Sequence, residues 1–249
     1  MHLAEATWTD AADVDTDLAV LPVGSTEQHG PHAPLGTDFL TADAIAGAGA
    51  DEHESRTDQP VVVAPPITIG IAEEHRQFTG TLWVSEDTFR DYVRETIESL
   101  ASHGWHKIVV VNGHGGNTAA LRELCGQVTR HTDAYAVSFT WFDAVDPDDI
   151  DMGHGGPLET SVLQHLHPDL VDEDRLDEAG EGAAEGWGEF QSGTNLAYDS
   201  AEFSENGAVG DPSDGSKALG ETIFDEAVGA LAALLDRVAA RDRGLPEHR

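Results

Sequence analysis

Cysteine is almost missing from this chain: Cys125 is the only one among 249 residues, so no intrachain disulfide can form. It falls in a stretch with helical spacing and reads as a small core residue rather than a redox group or nucleophile. Lysine is nearly as scarce, with Lys107 and Lys217 the only two. Thirteen basic residues face 47 acidic ones, a formal charge of −34. That balance argues against a basic patch for nucleic acid or an anionic membrane. No apolar run reaches membrane-spanning length, and the first residues lack a basic, apolar, cleavable leader, so a cytoplasmic protein is expected. Linkers, repeats and low-complexity tracts are missing too, and residues 1–249 read as one domain. Periodic apolar segments persist throughout, so the acidity coats a folded surface. Such a coat fits a high-salt cytoplasm, where salt screens self-repulsion over about 3 Å at 1 M.

What is present begins with residues 18–38, LAVLPVGSTEQHGPHAPLGTD. Leu18 to Val23 is a strand-length apolar run that stops at Gly24. The following loop holds Glu27, His29, His32 and Asp38, interrupted by Gly30, Pro31, Pro34 and Gly36. Glycine and proline fix an irregular path, and most of the remaining side chains are of metal-ligand type. Glu27 and His29, two apart on an extended stretch, could address two neighbouring ions. Asp38, from the far end of the loop, could bridge them with its two oxygens.

Two further stretches repeat the pattern. KIVVVNGHGGN, residues 107–117, is a strand of branched residues running into His114 among Gly113, Gly115 and Gly116. In an open parallel sheet, ligands sit beyond the carboxyl ends of strands, where this histidine falls. HGGPLETS, residues 154–161, places His154 and Glu159 about a glycine turn. Three glycine-flanked histidine clusters with carboxylates are hard to account for by packing, and they point to a metal site. Carboxylate and imidazole ligands suit zinc, manganese or iron alike.

GSTEQHGPHAPLGTD, VVNGHGGN and HGGPLETS together resemble the creatininase family of metal-dependent amidohydrolases, and EEHRQFTGTL and ENGAVGDPS are weaker signatures of it. The resemblance implies two divalent ions per chain. Glu27 and His114 would hold one, His29 the other, and Asp38 would bridge. It implies an amide as substrate, His154 as the acid for the leaving nitrogen, and a homo-oligomer, often a hexamer. His32, His75, Asn117 and Trp141 become candidates for the substrate side. Two positions depart from the pattern. A glutamate ligand is expected two residues after the histidine of the NGH motif, where this chain has Gly116; Glu159 could supply that carboxylate. A tryptophan that closes over the small ring is expected four residues before the second histidine, where this chain has Ile150, leaving Trp141 as a possible aromatic wall. The leading expectation is hydrolysis of a small cyclic or linear amide. A formylated pyrimidine nucleotide or a redox-cofactor precursor peptide are alternative substrates, and a metal-binding scaffold without turnover is the rival from another class.

The rest of the chain alternates strand and helix, which implies a parallel sheet covered on both faces, a three-layer α-β-α domain. Helices are expected from about Phe39, from Ser85 as N-cap, across 117–131, from Leu158 to before Pro168, and over 219–238. Further strands are expected at 61–70 and 134–142. Residues 1–17 read as a surface segment, and 143–157 as a loop whose five aspartates are solvated. Residues 169–213 have weak periodicity, and WGEFQSG within them is a candidate for covering the substrate or meeting another subunit.

Overall fold

The computed structural model describes residues 1–146, 150 and 152–243; of the five loop aspartates, Asp148, Asp149 and Asp151 lie outside this range. In chain order come α1 (Trp8–Ala12), β1 (Leu18–Val23), α2 (Thr37–Thr57), β2 (Val62–Val63), α3 (Glu86–Ser102), β3 (Lys107–Asn112), α4 (Thr118–His131) and β4 (Tyr135–Thr140). Then follow α5 (Pro157–Leu166), α6 (Leu176–Gly182), β5 (Phe190–Gln191), β6 (Thr194–Asn195) and α7 (Lys217–Ala239). Strands β1 to β4 form a parallel sheet in the order β2-β1-β3-β4. Each crossover is a helix, as parallel pairing demands.

The sheet is buried on both faces, and alternate residues of each strand serve opposite layers. Ala19, Leu21 and Val23 pack with Phe89, Val93 and Ile97 of α3 and Leu121 and Leu124 of α4. Leu18, Val20, Val109 and Val111 pack with Ile45 of α2, Leu158 and Val162 of α5, and Ile223 and Leu231 of α7. This is the single three-layer α/β domain expected. Cys125 lies in the first cluster, where burial pushes its thiol up to about 12, so it stays a neutral core group.

Some boundaries differ from expectation for local reasons. The strand expected over 61–70 pairs regularly only at Val62–Val63. Beyond Pro65 and Pro66 it rejoins β1 through one bridge, Val23 to Ile67. The first residues are not merely surface, since His2 bridges Val63 at the sheet edge and Thr7 caps α1 with a reciprocal bond to Asp10. In α7 the chain buries Leu235 rather than Leu234. Ser85 caps α3 as expected. No helix among the described residues is long and apolar enough to cross a membrane.

Candidate metal centre

The centre is built where β1 and β3 end. Both strands pass into glycine because α2 begins against them. A Cβ on Gly24 would lie 2.4 Å from the Phe39 nitrogen, and one on Gly113 would lie 2.2 Å from the Asp38 carbonyl oxygen. With neither side chain present, the first turn of α2 reaches the strand ends and delivers Asp38 between the two loops. A third element closes the far side. His154 exchanges two main-chain hydrogen bonds with Val209, at 2.9 and 2.8 Å. Gly155, at φ +56°, turns there so that its N–H donates to Glu159 Oε2 at 2.7 Å.

Glu27, His29, Asp38, His75, His114, His154 and Glu159 thus meet, each no more than 5% exposed. Asp38 sits in the middle, with Oδ1 2.9 Å from His29 Nε2 and Oδ2 3.2 Å from His114 Nδ1. Glu27 Oε1 lies 3.1 Å from His114 Nδ1 and 3.8 Å from His154 Nδ1. Glu159 Oε1 stands on the His29 side, 3.8 Å from Nε2.

Which ring nitrogen is protonated follows from the main chain. His29 Nδ1 donates to the Glu27 carbonyl at 3.1 Å, His114 Nε2 to the Ile71 carbonyl at 2.6 Å, and His154 Nε2 to the Gln28 carbonyl at 2.6 Å. In the neutral ring the other nitrogen is then a lone pair, and in all three it points at carboxylates. Main-chain carbonyls behind imidazoles commonly fix metal-ligating tautomers. Both Glu27 oxygens, Asp38 Oδ2 and His29 Nε2 are buried without a hydrogen bond. Acceptors facing acceptors at such distances require a positive charge among them. The donor set fits divalent cations of the zinc and manganese type.

Charge leaves the same mark on the rings. Burial pushes His29 toward neutrality, but Asp38 and Glu159 more than reverse this and hold its pKa well above the ordinary value. Burial acts likewise on His114, and Glu27 and Asp38 reverse it. For His154, burial and a charged His29 lower the pKa. His29 and His114 therefore stabilise the metal-free fold below their ordinary pKa of about 6.5, and this stability is lost as pH rises through their folded values. The metal-free protein in 2 M salt is expected to lose stability as pH rises above about 6.5, the ordinary histidine value, toward the raised folded values of these two rings. Ions compete with protons for the same lone pairs, so added zinc or manganese should reverse the slope. Melts across this range, with chelator and with metal, check it; equal slopes would refute the assignment.

The remaining candidates lie elsewhere. Asn117 is buried between two loops, accepting from Ile71 N–H at 3.0 Å and donating to the Gly24 carbonyl at 3.1 Å. It holds the residue whose carbonyl orients His114, and both ends of its amide are engaged by main chain. His32 bonds Thr160 Oγ1 at 2.8 Å behind the centre, and burial lowers its pKa to about 4. Trp141 is 1% exposed in the core and forms no aromatic wall. Trp187 comes nearer to that part, its ring centroid 6.3 Å from that of His154. It belongs to the WGEFQSG stretch, whose weak periodicity hid which residue faces inward. Gly116 has no room for a side chain, since a Cβ there would lie 2.4 Å from the Ile71 oxygen and 2.5 Å from His114 Nε2. Gln28 carries no sequence signal of its own, because an amide is not a usual ligand for such ions.

A parallel α/β domain with buried carboxylates and imidazoles converging beyond its strand ends has the build of a metal-dependent hydrolase. This chain belongs to the creatininase family, whose model, described as creatinine amidohydrolase, matches residues 4–235. It is 38% identical over 230 residues to the mycofactocin precursor peptide peptidase of Mycolicibacterium smegmatis, covering 92% of this chain and 88% of that protein. It is 31% identical over 205 residues to the creatinine amidohydrolase of Pseudomonas putida, covering 71% and 75%. A solved manganese creatininase superimposes with a TM-score of 0.75 at 26% identity, covering 96% of this chain and 99% of that one.

Proposed function

We propose that this protein is a metal-dependent hydrolase that cleaves an amide bond in a short precursor peptide. The observation that carries the reading is the balance of likeness: 38% identity over 92% of the chain to a precursor peptide peptidase, against 31% over 71% to a creatinine amidohydrolase. The mouth of the site supports it. Ile150 stands where a ring-covering tryptophan is expected, while Trp187 lies 6.3 Å from His154 between ring centroids and belongs to a stretch in which Phe190, Leu196 and Tyr198 are also exposed. A chain of several residues gains more from such side chains than a small ring does.

Glu27, His114 and Asp38 would hold one ion, and His29, Asp38 and Glu159 the other. Divalent ions held there would acidify a water and polarise the scissile carbonyl. The Gln28 carbonyl keeps the proton of His154 on Nε2, so Nδ1 faces the centre as a base. Its lowered pKa keeps that nitrogen free near neutral pH. Nδ1 can take the proton of the attacking water and then pass it to the leaving nitrogen. The Gln28 carbonyl steadies the ring while it is charged.

The test is turnover by zinc- or manganese-loaded protein in high salt, offered a synthetic precursor peptide, creatinine and simple formamides in turn. Peptide cleavage with release of a new amine is expected. Creatinine or formamide turnover with the peptide left intact would overturn the substrate, and full metal content with no turnover at all would leave the scaffold reading.

A further inference from the structure

Three pieces of sequence remain unexplained by the ligand set: Gln28 in the first loop, His75 in EEHRQ, and the glycine of ENGAVG. They meet in one place. Gln28 Oε1 accepts from Gly30 N–H at 2.9 Å, and Nε2 donates to the Gly207 carbonyl at 2.9 Å. Two main-chain groups of opposite kind thus fix which end of the amide is which. The same Nε2 lies 2.8 Å from His75 Nδ1, which must therefore accept. Ser200 Oγ, 3.0 Å from that nitrogen, can donate to it as well. Gly207, at φ +86°, makes the arrangement possible, because a Cβ there would lie 2.2 Å from the Gln28 amide.

With Nδ1 accepting, neutral His75 carries its proton on Nε2. That nitrogen faces the centre, 3.5 Å from Glu27 Oε1. The ring stacks on His154 at 4.3 Å and 16°, which fixes its plane. His75 thus has the opposite polarity to His29, His114 and His154: they turn lone pairs inward, and it turns a hydrogen inward. Proximity alone would group His75 with Glu27 and His154 as a three-ligand site. The Gln28 amide speaks against that, because a ligand nitrogen needs its lone pair.

We propose that His75 is not a ligand but a positioning residue: with its tautomer set by Gln28 it turns a hydrogen toward Glu27 Oε1 across 3.5 Å, and this polarity, rather than a hydrogen bond already in place, biases the Glu27 carboxylate toward its metal-binding orientation. The inference rests on the metal centre and is independent of the substrate. Its first test is ¹⁵N NMR of histidine-labelled, zinc-loaded protein, with the His75 signals assigned by their loss in His75→Gln. Nδ1 unprotonated and Nε2 protonated is the expected result; a zinc-bound or unprotonated Nε2 would overturn it. The second test is metal affinity. His75→Gln puts an amide N–H near the place of Nε2 and should keep the full metal content of the native protein. His75→Ala should weaken binding by roughly 10- to 100-fold, the usual loss on removing a partner of a ligand. Loss of one whole ion in His75→Gln, or unchanged affinity in His75→Ala, would refute the role. Failure of peptide cleavage would touch neither readout.

Discussion

Replacing Asp38 by alanine is expected to empty the centre of metal, a larger loss than any other single ligand change should cause. The carboxylate is shared: Oδ1 faces His29 and Oδ2 faces His114, so one residue serves both halves of the ligand set. It also stands in the first turn of α2, where a helix favours negative charge. His29→Ala should mainly lose the ion on its own side, because Glu27, Asp38 and His114 remain. Asp38→Ala should lower content at both positions and cost more than the roughly 10- to 100-fold in affinity that follows loss of a ligand's partner. Metal analysis of the two purified variants, with melts to confirm folding, separates them. Full metal content in Asp38→Ala would end the bridging assignment.

The second large effect is expected at His154, and glutamine is the informative replacement. The ring lies between His29 and His75, each 4.3 Å away between centroids, so alanine would open a gap beside two other site residues. Glutamine can keep a donor to the Gln28 carbonyl while removing the nitrogen that takes up the proton. His154→Gln should hold its metals and its unfolding midpoint, yet lose roughly 10²- to 10⁴-fold in kcat, the usual range for general acid–base catalysis. Lower metal content with partial rescue by added metal would instead make His154 a ligand. A lower midpoint with an undiminished rate per folded molecule would make it structural.

Much of this was legible from residue order. Strand-length runs of branched residues gave β1 with its bounds and β3 with its start, β3 ending at Asn112 rather than running into His114, and metal-ligand types beside the glycines pointed to the centre. The residues that could not be read share one property: their roles depend on long-range packing. His75 and Asn117 look alike on paper as isolated polar residues near a loop, yet one faces Glu27 and the other staples Ile71 to the strand end. Trp141 and Trp187 are the same residue type in two loops, and only the fold decides that the first is core and the second stands by His154. Residues 169–213 lacked periodicity because they are one short helix, α6, with turns and a small hairpin tied together by main-chain bonds, which leave no repeating apolar pattern.

The carbonyls of Glu27, Gln28 and Ile71, which choose the reactive nitrogen of three histidines, have no side chain to exchange. An alanine scan would pass over them in silence and credit the whole centre to its ligands. Their information is inherited as the path of the chain. The substitutions that would scramble the polarity of the rings fall on glycines such as Gly155, where a Cβ would press 2.7 Å from the His29 carbonyl and shift the loop that carries Glu27 and Gln28.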